Sequence, residues 1–176
     1  LSCPYPYEKA RLIIQEMTES LAFRLSDLKM ITDSLTLTVG YDRTNCTTGS
    51  YQGEIHIDHY GRSVPKAAHG TIHLDPPTNL GSRLIDAAVR LYAQITSPQL
   101  LVRRISIAAN RVIEDHGIYQ LNLFTDMKKL EREKKLQETM LDIKKRFGKN
   151  SVLKGTSFLD GATMRERNGQ IGGHKA

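Results

Sequence analysis

The spacing of apolar residues changes at Ser34, and that change restricts the chain to a fold built from both helices and strands. Before it, Ala10, Ile13, Ile14, Met17, Leu21 and Leu25 recur every three or four positions, the interval that gathers side chains on one face of a helix. The predicted helix runs from about Pro6, whose fixed φ suits an opening turn, to Leu25. Glu8, Lys9, Arg11, Glu16 and Glu19 lie largely off the apolar stripe, so one face is expected to be buried and the other solvated. From Ser34 onward, Leu35, Leu37 and Val39 alternate with Thr36, Thr38 and Gly40, the two-residue rhythm of a half-buried strand.

Residues 42–60 are rich in Gly, Thr, Asn and Ser, with a short alternation around Ile55 and Ile57 that suggests a small hairpin. A second strand is predicted over Ala68–Leu74, with Ile72 and Leu74 on one face and His69, Thr71 and His73 on the other. Asp75-Pro76-Pro77 is expected to break it, because proline cannot donate to a ladder. Asn79 or Ser82 can cap a second helix whose buried face is Leu84, Ala88, Leu91 and Ile95, supported by Ile85 and Tyr92, and which Pro98 ends. A third strand, about Leu101–Ala109, alternates imperfectly. The order helix, strand, strand, helix, strand predicts an α+β fold, a small, mainly antiparallel sheet with two helices on one face.

Past Gly117 a short apolar segment precedes a charged helix, predicted over Asp126–Phe147, with a thin stripe of Leu130, Leu136, Met140, Ile143 and Phe147 interrupted by Lys134. From Gly148 no period is sustained, and an irregular tail is expected unless the domain or a partner ties it down. The chain thus divides into a globular part, 1–117, a linker, 118–125, and a basic helical extension, 126–176. Residues 1–117 balance 12 Lys/Arg against 12 Asp/Glu, whereas 118–176 hold 13 against seven, which accounts for the whole formal charge of +6. A basic extension behind a neutral domain suggests an acidic partner such as nucleic acid, with a solvated helix as the competing reading.

Several function classes are disfavoured. No stretch approaches the ~20 apolar residues of a membrane span, and no N-terminal segment resembles a signal peptide. With two cysteines, Cys3 and Cys46, a disulfide scaffold is excluded, and a cytoplasmic setting without membrane association is expected. There is no glycine-rich phosphate loop, nucleophile elbow or paired-carboxylate site. His56, His59, His69 and His73 fall within eighteen residues, but their spacing matches no familiar zinc site, and no metal ligands are assigned.

The predicted open face of the sheet is the stronger lead. It carries Thr36, Thr38, His69, Thr71, His73, Arg104 and Ser106, with Arg62, Lys66 and Arg103 extending it at the edges. Hydroxyls, imidazoles and guanidinium groups can contact phosphate oxygens without reading bases; an ordinary solvated face is the alternative. Gln120-Leu121-Asn122-Leu123-Phe124 is the sharpest local signal. An extended peptide of this pattern can direct Leu121 and Phe124 into a partner's pockets while the Gln120 amide orients it. Folding back onto the domain is the competing reading.

These residues resemble the C-terminal portion of a Y-family translesion DNA polymerase, in the UmuC/ImpB/MucB/SamB branch and most like its Gram-positive UV-damage repair members. Val102-Arg103-Arg104-Ile105-Ser106-Ile107 is similar to the Arg-Arg-Ile strand of the little-finger domain, which in that family lies against the DNA backbone, although a glycine is common where Ser106 stands. Gln120–Phe124 matches the family's sliding-clamp-binding pentapeptide. Tyr60-Gly61-Arg62-Ser63-Val64-Pro65-Lys66 and the ending from Arg165 to Ala176 are similar to that branch. The resemblance implies an error-prone polymerase of the SOS response, whose catalytic carboxylates and Mg2+ sit in a palm domain absent from these residues. No cofactor is therefore expected in this segment, which would begin near the end of the little finger's first strand. The implied partners are primer-template DNA, the processivity clamp and a small regulatory subunit. Two other readings are a non-enzymatic module pairing through the charged helix, and a small RNA-binding domain, which would lack the usual exposed aromatic pair.

Overall fold

The computed structural model describes residues 1, 3–47, 51–117, 127–171 and 174–175. In chain order these form α1 (Tyr7–Asp27), β1 (Met30–Tyr41), α2 (Thr44–Thr47), β2 (Ile55–Ile57), β3 (Ser63–Pro65), β4 (Ala68–Thr78), α3 (Gly81–Ile95), β5 (Val102–Asn110) and β6 (Ile113–Glu114). There follow α4 (Met127–Phe147), a 3-10 turn (Gly155–Phe158), α5 (Met164–Asn168), β7 (Gln170–Ile171) and β8 (His174–Lys175). The α+β expectation holds: β1 is the centre of an antiparallel sheet in the order β4-β1-β5, with β6 pairing the start of β1.

The two-residue rhythm of β1 decides which side is covered. Leu35, Leu37 and Val39 are wholly buried and pack with Ile13, Ile14, Leu84, Ala88 and Tyr92 from α1 and α3. Tyr7 and Tyr92 stack at 4.5 Å between ring centroids, and the Tyr92 hydroxyl donates to the Tyr7 carbonyl at 3.1 Å. Gly70 lies opposite Leu37 in the ladder. A Cβ there would stand 2.9 Å from Ile95 Cγ2 and 3.1 Å from Leu91 Cδ1, so the missing side chain lets α3 close onto the sheet. At the outer edge of β5, Tyr5 and Val102 exchange backbone hydrogen bonds of 2.8 Å.

Four expectations change. The strand predicted to stop at Asp75 continues through Pro76 and Pro77 to Thr78. It can do so because β4 is an edge strand and its register slips there: Ser34 pairs His73, but Thr32 pairs Thr78, so the prolines occupy a bulge that asks for no ladder donor. Neither Asn79 nor Ser82 caps α3. Leu80 is the cap position, its N–H donating to Thr78 Oγ1 at 3.1 Å, while the Gly81 N–H donates to Gln137 Oε1 at 2.8 Å. A residue 56 positions away thus replaces the local cap.

The third change concerns α4. Gln137 Nε2 also donates to Ser26 Oγ at 2.6 Å and to the Asn79 carbonyl at 2.9 Å, Lys134 pairs with Asp115 at 3.1 Å, and Lys145 pairs with Asp27. Leu130, Lys134, Gln137, Leu141 and Lys144 are half-buried, whereas Leu136 and Phe147 are exposed. The inward face follows three- and four-residue steps from Leu130; Leu136, six residues on, falls off it. An amide and ammonium groups, rather than the apolar stripe alone, anchor this helix.

Fourth, Glu16 and Glu19 are buried rather than solvated, because the tail covers that side of α1. The Thr163 N–H and hydroxyl donate to Glu16 Oε2 at 2.9 and 3.2 Å, Lys154 pairs with Glu19 at 2.9 Å, Lys9 pairs with Asp160 at 2.6 Å, and Met164 is buried. Burial pulls the Arg167 guanidinium below its usual pKa, opposed by the Glu16 carboxylate. Glu16→Ala should therefore release the tail. Hydrogen bonds to a charged group are worth about 1.5–3 kcal/mol, enough to raise the undocked population about tenfold or more when they are lost. Limited trypsin digestion at Arg165 and Arg167 should accelerate correspondingly while the sheet's melting temperature barely moves; unchanged cleavage would show that Glu16 does not hold the tail.

Candidate nucleic-acid interface

On β1, Ser34, Thr36, Thr38 and Gly40 alternate with the core-facing Leu35, Leu37 and Val39 and lie on the side away from the helices; Ser34, flanked by His73 and Asn110, is itself buried, and the face opens from Thr36 onward. The ladders set three rows across the sheet: His73, Ser34 and Asn110; Thr71, Thr36 and Ala108; His69, Thr38 and Ser106. Arg104 stands beside Gly40 at the end of the face. His69, Thr71, His73, Arg104 and Ser106 are exposed, and Thr36 and Thr38 half-buried. The two helices of the core lie on the other side.

Cross-strand hydrogen bonds hold these side chains in place before any ligand arrives. Thr36 Oγ1 meets Thr71 Oγ1 at 2.8 Å and accepts from Asn110 Nδ2 at 2.7 Å. Thr38 Oγ1 lies 2.9 Å from His69 Nδ1. Fixing polar groups in this way lowers the ordering cost of a contact made through them.

All seven face residues nominated from the sequence share one surface. The edge cations are more engaged than their charge suggests. Arg62 pairs with Asp58, Nη2 to Oδ2 at 2.6 Å, and the Arg62 contacts hold the Asp58 carboxyl below its ordinary range. Lys66 pairs with Glu54 at 2.8 Å, which raises the ammonium and lowers the carboxyl. Arg103 stands 3.9 Å from Asp42. Arg104 has no carboxylate within ion-pair distance among the described residues, so it is the face's uncompensated charge.

Sequence reasoning missed Asn110 and Arg111. Arg111 adopts φ of 46° just past the end of β5, a conformation rare for a side-chain-bearing residue. That turn brings its guanidinium to Asp33 and to His73 Nδ1, each at 2.9 Å. A residue beyond a strand's last alternating position carries no periodic signal, so only the turn reveals it. Arg43 is likewise a loop residue without a pattern. Gln120, Leu121, Leu123 and Phe124 lie outside the described residues. Among the described residues no three His, Cys, Asp or Glu side chains gather as a metal site. No described helix is long and apolar enough to cross a membrane.

A central strand paired on both sides, two helices behind it and a polar, preorganised face in front define the class: an α+β sheet platform. Within that class the chain belongs to the impB/mucB/samB family, whose C-terminal domain matches residues 5–123. The match opens at the Tyr5 bridge, spans the whole platform and ends inside Gln120–Phe124. The chain is also similar to UvrX of Bacillus subtilis (strain 168), a protein named for UV-damage repair, with 23% identity over 169 residues. That alignment takes in 96% of this chain but 35% of the relative, so the chain spans about a third of the relative's length.

Proposed function

We propose that this chain is the little-finger region and C-terminal extension of an error-prone translesion DNA polymerase acting in UV-damage repair, and that its open sheet face grips the primer-template backbone. The observation that carries this reading is the uncovered face: hydroxyls, imidazoles and Arg104, which no carboxylate of the described residues pairs, on one rigid surface, in a chain of the impB/mucB/samB family. Damage alters bases and leaves phosphates in place, so a grip that ignores bases suits a lesion-bearing template. Nucleotidyl transfer and its Mg2+ belong, in this reading, to a palm domain outside these residues. A second contact, Gln120–Phe124 with the processivity clamp, keeps the enzyme on its template. A helix-pairing module is less well supported, because α4 already uses Lys134, Gln137 and Lys145 to hold its own domain.

Duplex binding should be sequence-independent and steeply salt-dependent, each phosphate contact adding about 0.9 to the slope of log affinity against log salt. Arg104→Ala should weaken binding several-fold, equally for unrelated sequences, and reduce that slope by about one. Fluorescence anisotropy at 50–200 mM salt measures both. Absence of binding at the low-salt limit, or a loss confined to one sequence, would overturn the proposal.

A further inference from the structure

At the Gly40 end of the sheet face, the β2–β3 hairpin and the loop after β1 enclose a cleft of about 540 Å³ lined by Gly40, Arg43, Tyr60, Arg62, Arg103 and Arg104, among others. This volume lies within the ~300–1,000 Å³ of small-molecule sites, and the lining combines four guanidinium groups with an aromatic ring. Asp42 and Asp58 also line it and engage Arg103 and Arg62. Arg43 and Arg104 have no carboxylate within ion-pair distance among the described residues, so the net field in the cleft favours an anion.

Tyr60 is the unusual element. Its ring is 77% exposed, yet it is not loose. The Asp58 carboxylate accepts the Tyr60 and Arg62 N–H groups at 2.9 Å each, and the Gly61 N–H donates to the Asp58 carbonyl at 2.9 Å. Gly61 takes the left-handed φ of 73° that closes the turn. The Arg62 guanidinium, itself held by Asp58, sits 4.7 Å from the Tyr60 ring centroid, and His59 meets the ring edge-on at 5.5 Å. The turn thus fixes an aromatic platform beside two uncompensated arginines.

We propose that this cleft binds an unpaired nucleotide of a strand whose paired part rests on the sheet face, its base stacked on Tyr60 and its phosphates on Arg43 and Arg104. The inference rests on the sheet-face reading for the position of the duplex, because Gly40 and Arg104 belong to both surfaces. It goes beyond that reading in the ligand. Bases inside a duplex have both faces occupied by their neighbours, whereas an unpaired base offers a free face to an aromatic ring.

The test compares the chain's affinity for a blunt duplex, the same duplex with a short single-stranded overhang, and the free single strand. The overhang carries 2-aminopurine at its first unpaired position. The overhang should strengthen binding about fivefold or more and quench the probe. Tyr60→Ala should abolish both effects and leave blunt-duplex affinity unchanged, whereas Tyr60→Phe should retain them. Arg43→Ala should reduce the overhang's advantage most at low salt. No advantage from the overhang, or an equal advantage in Tyr60→Ala, overturns the proposal. Single-strand binding that depends on Tyr60, with no blunt-duplex binding, would sustain the cleft while refuting the sheet-face grip, so the two failures are distinguishable.

Discussion

Alanine in place of Leu37 should lower the unfolding free energy by about 2–5 kcal/mol, toward the upper end of that range. Leu37 is at the middle of the central strand and wholly buried. Its ladder neighbours are Ile107 and Gly70, and Gly70 has no side chain that could swing into the space left behind. Filling the void would require α3 to move, but α3 already rests against Gly70 through Leu91 and Ile95. A site that collapses poorly retains more of its cavity and loses more stability. Urea denaturation should show a lower midpoint with an unchanged slope. Thr38→Ala, the next residue on the opposite face, should change stability far less. Equal losses at the two positions would mean that the face is not open.

Replacing Leu123 and Phe124 together by alanine should eliminate capture by the sliding clamp. A five-residue anchor buries little surface, so an affinity of order micromolar is expected for the parent sequence. Each large apolar side chain seated in a pocket contributes about 1.5–3 kcal/mol, so losing two weakens binding by about a hundredfold or more. An immobilised clamp should retain the parent chain and not the double variant, and thermal melting should be the same for both. Retention of the double variant would reject clamp recruitment through this segment. Gln120→Ala should act in the same direction with a smaller effect, because it removes an orienting hydrogen bond rather than buried area.

The platform was legible in the sequence because its signal is local and periodic. Ser34–Val39 and Ala68–Leu74 each place one class of side chain on each side of the sheet, and the helical stripe at Ala10, Ile13 and Ile14 needs the covered side of such a sheet to be buried. The face residues Thr36, Thr38, His69, Thr71, Arg104 and Ser106 followed from the same parity. Parity does not report what stands at a strand's end. The continuation of β4 through two prolines, the capping of α3 by Gln137 and the left-handed turn at Arg111 all depend on partners distant in sequence.

The helix and strand order of the platform, its covered and uncovered sides and the place of Arg104 on the open side were thus set by the order of residues alone, since each depends only on the repeat of the element that carries it. Tertiary structure decided that Glu16 and Glu19 are buried beneath the tail, that α4 docks through an amide, and that the hairpin carries Tyr60 to the same cleft as Arg43 and Arg104. Those outcomes require surfaces far apart in the chain to meet, and charge or polarity at one position does not specify what will be laid against it.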